Sequence, residues 1–292
     1  MRVLVTGATG GLAELVIRQL LKENVEVIAT SRCEEKARQC DFFKNVVYLP
    51  FDINSQALTD LYSYFKKPDA VIHLAWDKLN DYKDEEHISV ILQNHRNFLF
   101  NLIDNGLKDL TVAGTCYEYG LQEGVLKESM HSSPVLPYPK GKNLLRGFLE
   151  EKQKTKPFVL KWPRIFYVFG EVKGRKNLYT YLMTAINNKE ESFNMTGGEQ
   201  VRDFLSPDEI AKRIVRIALQ KKVTGVINCC SGKPVKLKTF VTDFLKRNNY
   251  SIKLNLGVYP YADYEPMETW GDTEKLNRVL DRNSSVYIKN NP

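Results

Sequence analysis

The sequence predicts an α/β fold: a doubly wound parallel sheet of the Rossmann type with a smaller mixed α/β carboxy-terminal cap. Three observations predict it. Short apolar runs alternate with longer segments that carry an apolar stripe at helical spacing. The first run leads straight into a glycine-rich stretch, Thr6-Gly7-Ala8-Thr9-Gly10-Gly11-Leu12-Ala13. Further on, Tyr138 and Lys142 stand four residues apart.

Residues 2–6 are predicted as a buried strand. Residues 12–22 are predicted as a helix, because Leu12, Leu15, Val16, Leu20 and Leu21 form one apolar face. Strands follow at 25–30, 46–49 and 70–75, then a long helix over 88–105 that Gly106 stops. A strand at 110–113, a helix from Pro139 to about 154 and a strand at 158–162 continue the rhythm. Each crossover between parallel strands is expected to be right-handed, with helices on both faces of the sheet. Beyond Pro163 the pattern loosens into mixed helix and loop, with helices at 208–219 and 239–247 and a strand at 225–229. The stretch after Arg282 is polar and expected to fray. Residues 1–165, with about 203–232, are assigned to the sheet domain, and 166–202 and 233–292 to the cap.

Composition sets bounds on function. A chain of 292 residues, 43% hydrophobic and 26% charged, can bury a sizeable core. The net charge of +7 is spread over the length, with no run of five basic residues, so no nucleic-acid surface is expected. Local positive potential could instead favour a phosphorylated substrate. Five cysteines, an odd number without a CxxC pair, argue against a zinc site or a disulfide framework and for reduced thiols in the cytoplasm. No stretch of ~18 apolar residues is present, so no membrane span is expected. Met1 leads directly into the first predicted strand, and no signal peptide is expected.

Pyrophosphate binding needs backbone N–H groups at a helix amino terminus, and glycines that let the ligand approach them. Gly7, Gly10 and Gly11 lie between a predicted strand and helix, where that mechanism requires them, and Ala13 still allows close helix–strand packing. At the end of the second strand a carboxylate would bind the adenosine ribose of NAD. The chain offers Ser31 and Arg32 instead, a hydroxyl and a guanidinium suited to a 2′-phosphate. NADPH is therefore the expected cofactor, with NAD as the alternative.

Taken in order, these pieces resemble the extended short-chain dehydrogenase/reductase family, the NAD(P)-dependent nucleotide-sugar epimerases, dehydratases and reductases. The glycine stretch resembles TGxxGxxG, Asp52-Ile53 the acidic–apolar pair near the adenine, and Val71-Ile72-His73-Leu74-Ala75 the strand beneath the cofactor. Asn94 is similar to a family asparagine, Gly114-Thr115-Cys116-Tyr117-Glu118-Tyr119-Gly120 to SSxxVYG, Tyr138 to Lys142 to YxxxK, and Arg202-Asp203-Phe204 to RDF. The resemblance implies a cofactor site built from Gly7, Thr9, Gly10, Gly11, Leu12, Ser31, Arg32, Asp52, Ile53, Leu74, Ala75, Trp76 and Asn94, with Tyr138 and Lys142. It implies Thr115, Tyr138 and Lys142 as catalytic residues, and Thr115, Cys116, Arg164 and Arg202 as contacts to a nucleotide sugar. A homodimer is a family expectation.

The chemistry suits these residue types. Reducing a ketone places a hydride on carbon and a proton on oxygen. A free tyrosine titrates near ~10, too high for easy exchange at neutral pH, and a nearby ammonium lowers that value. One helical turn puts Tyr138 and Lys142 on the same face, with Pro139 expected at the first helical position. Eliminating water needs an extra acid and base, and the resemblance implies an Asp-Glu pair directly after the threonine in 4,6-dehydratases; Cys116 and Tyr117 stand there instead, with Glu118 one place later. The expected reaction is NADPH-dependent reduction of a nucleotide-linked 4-keto-6-deoxyhexose in deoxysugar (O-antigen type) biosynthesis, the nucleotide being dTDP, CDP or GDP. A 4-epimerase with retained NAD is the alternative, and a non-catalytic NADP-binding regulator the second. Cys116 has no His–Asp partner that would make it a nucleophile, and His87, His95 and His131 have no metal-like spacing. The aromatic stretch from Tyr259 to Pro266 either lines a sugar pocket or packs as a loop.

Overall fold

The computed structural model describes residues 1–55 and 59–281, so the stretch after Arg282 lies outside the described residues. The chain begins β1 (Arg2–Thr6), α1 (Gly11–Lys22), β2 (Glu26–Thr30), α2 (Glu34–Arg38), β3 (Val47–Tyr48), α3 (Leu61–Tyr64) and β4 (Ala70–His73). It continues through α4 (Leu92–Asp104), β5 (Asp109–Val112), β6 (Gly114–Thr115), β7 (Gly124–Leu126), α5 (Pro137–Thr155), β8 (Val159–Ile165) and β9 (Tyr167–Val168). Then come α6 (Leu178–Asn187), β10 (Ser192–Asn194), β11 (Val201–Leu205), α7 (Pro207–Leu219), β12 (Gly225–Cys229), β13 (Pro234–Lys236), α8 (Leu237–Arg247), β14 (Lys253–Asn255), β15 (Thr269–Gly271) and α9 (Glu274–Leu280).

The main sheet runs β12-β8-β5-β4-β1-β2-β3, with β6 beside β8, and every pairing is parallel. Successive side chains of β1 point to opposite faces. Val3 and Val5 pack with Val16 and Leu20 of α1 and Ile210 and Ile214 of α7, whereas Leu4 packs with Leu102 of α4 and Leu145 of α5. The runs read as uninterrupted apolar because both faces are covered. Strand order reverses between β1 and β4, and a crevice opens there beyond their carboxyl ends.

Among the boundaries that differ from expectation, two lie at prolines. The last strand of the alternation extends through Pro163 to Ile165. It pairs with β5 up to Thr111–Lys161 and resumes with β6 at Gly114–Arg164. Pro163 lies in the gap and has no N–H to give a ladder. The helix expected from Pro139 starts at Pro137, which takes the first helical position instead.

The carboxy-terminal part adds β9-β11-β13 and β10-β14 as small sheets, and β15 pairs with β7. α7 and β12 return to the main sheet. A second core holds the smaller part together, with Phe169 edge-on to Phe240 and Phe244 and packed with Leu182 and Val241.

Candidate active site

A cavity of ≈ 1320 Å³ follows the crevice at the β1/β4 switch point. Every residue expected to hold the cofactor lines it except Asn94, and every one expected to meet substrate lines it except Arg164. The glycine turn has the form a dinucleotide requires. Gly7 has φ +69, and a Cβ there would stand 2.9 Å from the Ala75 Cα. The Gly10 N–H closes the turn on the Gly7 carbonyl at 2.8 Å, and α1 starts at Gly11 with its first N–H groups free of intrahelical partners. These residues fit the diphosphate of a nicotinamide dinucleotide. Just past β2, Ser31 Oγ meets the Tyr48 hydroxyl at 2.9 Å, and the Arg32 guanidinium donates to Asp77 at 2.9 Å.

Thr115, Tyr138 and Lys142 come together on this cavity from the end of β6 and the first turns of α5. Thr115 caps the short turn Cys116–Tyr119, and its Oγ accepts the Tyr117 N–H at 3.3 Å, which leaves its own proton free to donate. The Tyr138 N–H donates to the Tyr82 carbonyl at 3.1 Å, and its ring stacks on Tyr82 at 4.8 Å. Burial pushes the Tyr138 phenol up, with Tyr82 adding to the rise and Arg175 opposing it. Burial pushes the Lys142 ammonium down to about 7, with Glu118 opposing. The lowering of the tyrosine expected from Lys142 is therefore not what the protein alone produces, because desolvation dominates both groups.

Two of the expected contacts lie off the cavity wall. Arg164 is buried behind the cavity wall, where its Nε donates to Glu118 at 3.0 Å and its guanidinium covers the Tyr119 ring at 4.2 Å. The same carboxylate accepts the Thr115 N–H at 2.9 Å and the Trp162 indole N–H at 2.9 Å. Arg164 thus braces the threonine turn. Asn94 donates to Asn54 at 2.8 Å, off the cavity wall, and its neighbour His95 lines the wall instead. A π-turn, His87–Ile91, precedes α4 and rotates its register.

Arg202 does reach the cavity, held by Glu265 at 2.9 Å and stacked over Tyr167 at 5.0 Å. Tyr117 donates to the other Glu265 oxygen at 2.9 Å. Of the aromatic stretch, only Glu265 lines the main cavity; Pro260 and Tyr261 line a neighbouring one of ≈ 190 Å³. Cys116 lines the main cavity, and burial pushes its thiol up, which keeps it protonated.

The histidines carry structure that spacing did not reveal. Thr6 Oγ accepts the N–H groups of Leu74 and Ala75, each at 3.2 Å, so its proton goes to His73 Nδ1 at 3.0 Å. His73 then donates from Nε2 to His95 Nδ1 at 2.8 Å. This chain ties the ends of β1 and β4 to α4 under the cavity floor. Among the described residues no group of three or more His, Cys, Asp or Glu could hold a metal.

A strap between α6 and the main sheet crosses the crevice. A Cβ on Gly11 would stand 2.4 Å from the Lys173 N. On one lip Lys173 pairs with Glu14 at 2.8 Å; on the other, Asn80 bonds the Gly174 carbonyl at 3.0 Å, and Arg175 reaches the Tyr82 hydroxyl at 2.8 Å.

The sequence profile described as "NAD dependent epimerase/dehydratase family" matches residues 3–230, from β1 through β12. The chain belongs to this family. It is an NAD(P)-dependent enzyme of the short-chain dehydrogenase/reductase type. Among curated relatives, the chain is 28% identical over 272 residues to dTDP-6-deoxy-L-talose 4-dehydrogenase (NAD(+)) of Aggregatibacter actinomycetemcomitans, covering 93% of this chain and 99% of the relative. It is 25% identical over 238 residues to GDP-6-deoxy-D-talose 4-dehydrogenase of the same organism, covering 80% and 75%. A solved UDP-N-acetylglucosamine 4-epimerase from Methanobrevibacter ruminantium M1 superposes with a TM-score of 0.80 at 22% identity, covering 95% and 91%, and shares the fold. No helix among the described residues is long and apolar enough to cross a membrane.

Proposed function

We propose that this family member interconverts a nucleotide-linked 4-keto-6-deoxyhexose and its 4-hydroxy form, acting as a 4-ketoreductase in deoxysugar synthesis. The observation that carries the reading is the convergence of Thr115, Tyr138 and Lys142 on the cavity that begins at the glycine turn. The relative named as a dTDP-6-deoxy-L-talose 4-dehydrogenase, matched over nearly its whole length, supports a dTDP sugar.

When bound, the nicotinamide supplies the hydride to carbon 4. The chain's own residues do the rest. Thr115 donates a hydrogen bond to the carbonyl oxygen and holds it beside Tyr138. The Tyr138 phenol passes its proton to that oxygen as the carbinol forms. Lys142 bonds the nicotinamide ribose and favours the phenolate that remains. Arg202, oriented by Glu265, meets the sugar diphosphate. Glu118 cannot serve as a dehydratase acid or base, since Thr115, Trp162 and Arg164 saturate it.

We propose NADPH as the preferred cofactor, supported by Ser31 and Arg32 on the adenosine wall. NAD is the second reading, supported by the Asp77 partner of Arg32 and by the NAD(+) in the relative's name. A cytoplasmic setting accords with five free cysteines, and a homodimer with Val90 and Leu144 exposed beside α4 and on α5.

The test incubates purified protein with NADPH or NADH and a panel of dTDP-, CDP- and GDP-linked 4-keto-6-deoxyhexoses, following absorbance and product configuration. Wild type is expected to oxidise NADPH once per sugar. Tyr138→Phe is expected to lose turnover by about 10²–10⁴-fold while still binding dinucleotide. Equal turnover by the two proteins would overturn the assignment, and a 4-epimer formed without net cofactor consumption would favour the epimerase.

A further inference from the structure

Trp76 stands just past β4, on the cavity wall. The Lys142 Nζ lies 4.0 Å from the centre of its ring. The indole is fixed from several sides. Its N–H donates to His87 Nδ1 at 3.0 Å, His95 stacks on it at 4.7 Å, and Tyr138 meets it edge-on at 6.3 Å. His87 is fixed in turn. An indole N–H can only donate, so Nδ1 accepts, and Nε2 carries the proton that goes to the Asp81 carbonyl at 2.8 Å. The His87 carbonyl lies 2.6 Å from where a Cβ on Gly141 would stand. A side chain there would push α5 off the His87 turn, and Gly141 immediately precedes Lys142.

We propose that Trp76 is a positioning residue for Lys142: its indole face holds the ammonium at the cavity wall, and His87 sets the plane of that face. The proposal rests on the role given to Lys142 above. An ammonium stripped of water loses its charge readily, and a π face offsets part of that loss. Burial already takes Lys142 down to about 7. The titratable groups coupled to it are Glu118 on the turn after β6, His73 on β4 and His95 on α4, with Tyr138 one turn before it on the same helix and His87 behind the indole. Of these, Glu118 favours the ammonium, and both His73 and His95 are disfavoured as cations by Lys142. The indole is thus the neutral partner that supports the charge without competing for it.

Two arms test this. The first reads kcat and KM against pH. Trp76→Leu is expected to move the alkaline limb down by about one pH unit and to cut kcat at pH 8 about tenfold, with sugar KM within about threefold. Trp76→Phe, which keeps a π face, is expected to restore most of the loss, and His87→Leu to shift the limb part of the way. A wild-type pH profile in Trp76→Leu would overturn the proposal. The second arm needs no Trp76 variant. Indole fluorescence of the unliganded wild-type protein should show a step near pH 7, as the ammonium over Trp76 titrates, and Lys142→Met should lose it. No step in wild type, or a step that survives in Lys142→Met, would overturn the contact even if Trp76→Leu fails to fold. Full turnover by Lys142→Met would instead sink the role of Lys142 on which the proposal rests, whatever the fluorescence shows.

Discussion

Arg164 and Glu118 form a buried ion pair, 3.0 Å between Nε and Oε2, directly behind the turn that carries Thr115. Both side chains are essentially inaccessible to water. Removing one partner strands the other, at a cost of about 3–5 kcal/mol, whereas removing both costs less. Glu118→Gln and Arg164→Met are each expected to lower the denaturation midpoint sharply, and the double variant to recover part of the loss. Chemical denaturation of the three proteins checks this. A folded Arg164→Met whose only defect is a raised sugar KM would restore the substrate role read from the sequence.

The proposed NADPH preference rests on Arg32, which is paired with Asp77. Freeing the guanidinium with Asp77→Asn is expected to lower the NADPH KM several-fold and leave NADH unchanged. Arg32→Asp is expected to raise the NADPH KM by about 10–100-fold, the worth of a charge-assisted contact to phosphate. Steady-state kinetics with both cofactors checks both statements. A wild type that prefers NADH, and that Arg32→Asp does not alter, would count decisively for NAD.

Lys142 is expected to weaken the fold. Its value falls from near 10.5 to about 7 on folding. Between those pH values the unfolded chain holds a proton that the folded chain does not, so stability rises with pH across that window. The penalty is complete below about 7 and vanishes above the unfolded value. At ~1.4 kcal/mol per unit, it amounts to a few kcal/mol at neutral pH. Lys142→Met is therefore expected to be more stable than wild type at pH 6–7, with the difference shrinking toward pH 10. Thermal melts across that range check it, and a constant difference would contradict it.

The His73–His95 pair gives the acid limb. Burial holds both imidazoles well below the ordinary histidine value, and Lys142 adds to the effect. The stability tied to their neutral forms is present above ~6.5 and is lost as pH falls through the lowered values. Each imidazole contributes a slope of up to ~1.4 kcal/mol per pH unit. His95→Gln, which can still accept from His73, is expected to flatten the decline between pH 6.5 and 5 while lowering stability at pH 8 only slightly. Urea midpoints at these pH values decide it.

How far the sequence could be read followed the range of the interactions. The glycine turn and the buried strands were legible because they depend on local backbone needs and on continuous apolar runs buried on both faces. The partner of Arg164 was not, since Glu118 lies 46 positions away and the extension of β8 through Pro163 turned the arginine from the cavity. Asn94 was named through the family resemblance, and His95 was given no role because its bond to His73 and its stacking on Trp76 join residues far apart in the chain. The role proposed for Trp76 was hidden in the same way: in the sequence it stood only as one residue of the expected cofactor site. Its contacts to His87, His95 and Lys142 depend on how three separate elements meet.

The strap over Gly11 has a consequence for timing. If the proposed reductase reading holds, one dinucleotide is consumed per sugar, and the old one leaves and a new one enters in each round. Lys173 is fastened to Glu14 on one bank and Asn80 holds Gly174 on the other, so a dinucleotide exchanged through this opening would undo a bridge. For the proposed reductase, each round then includes one opening and one closing of a strap held by a partly exposed ion pair worth about 1 kcal/mol or less.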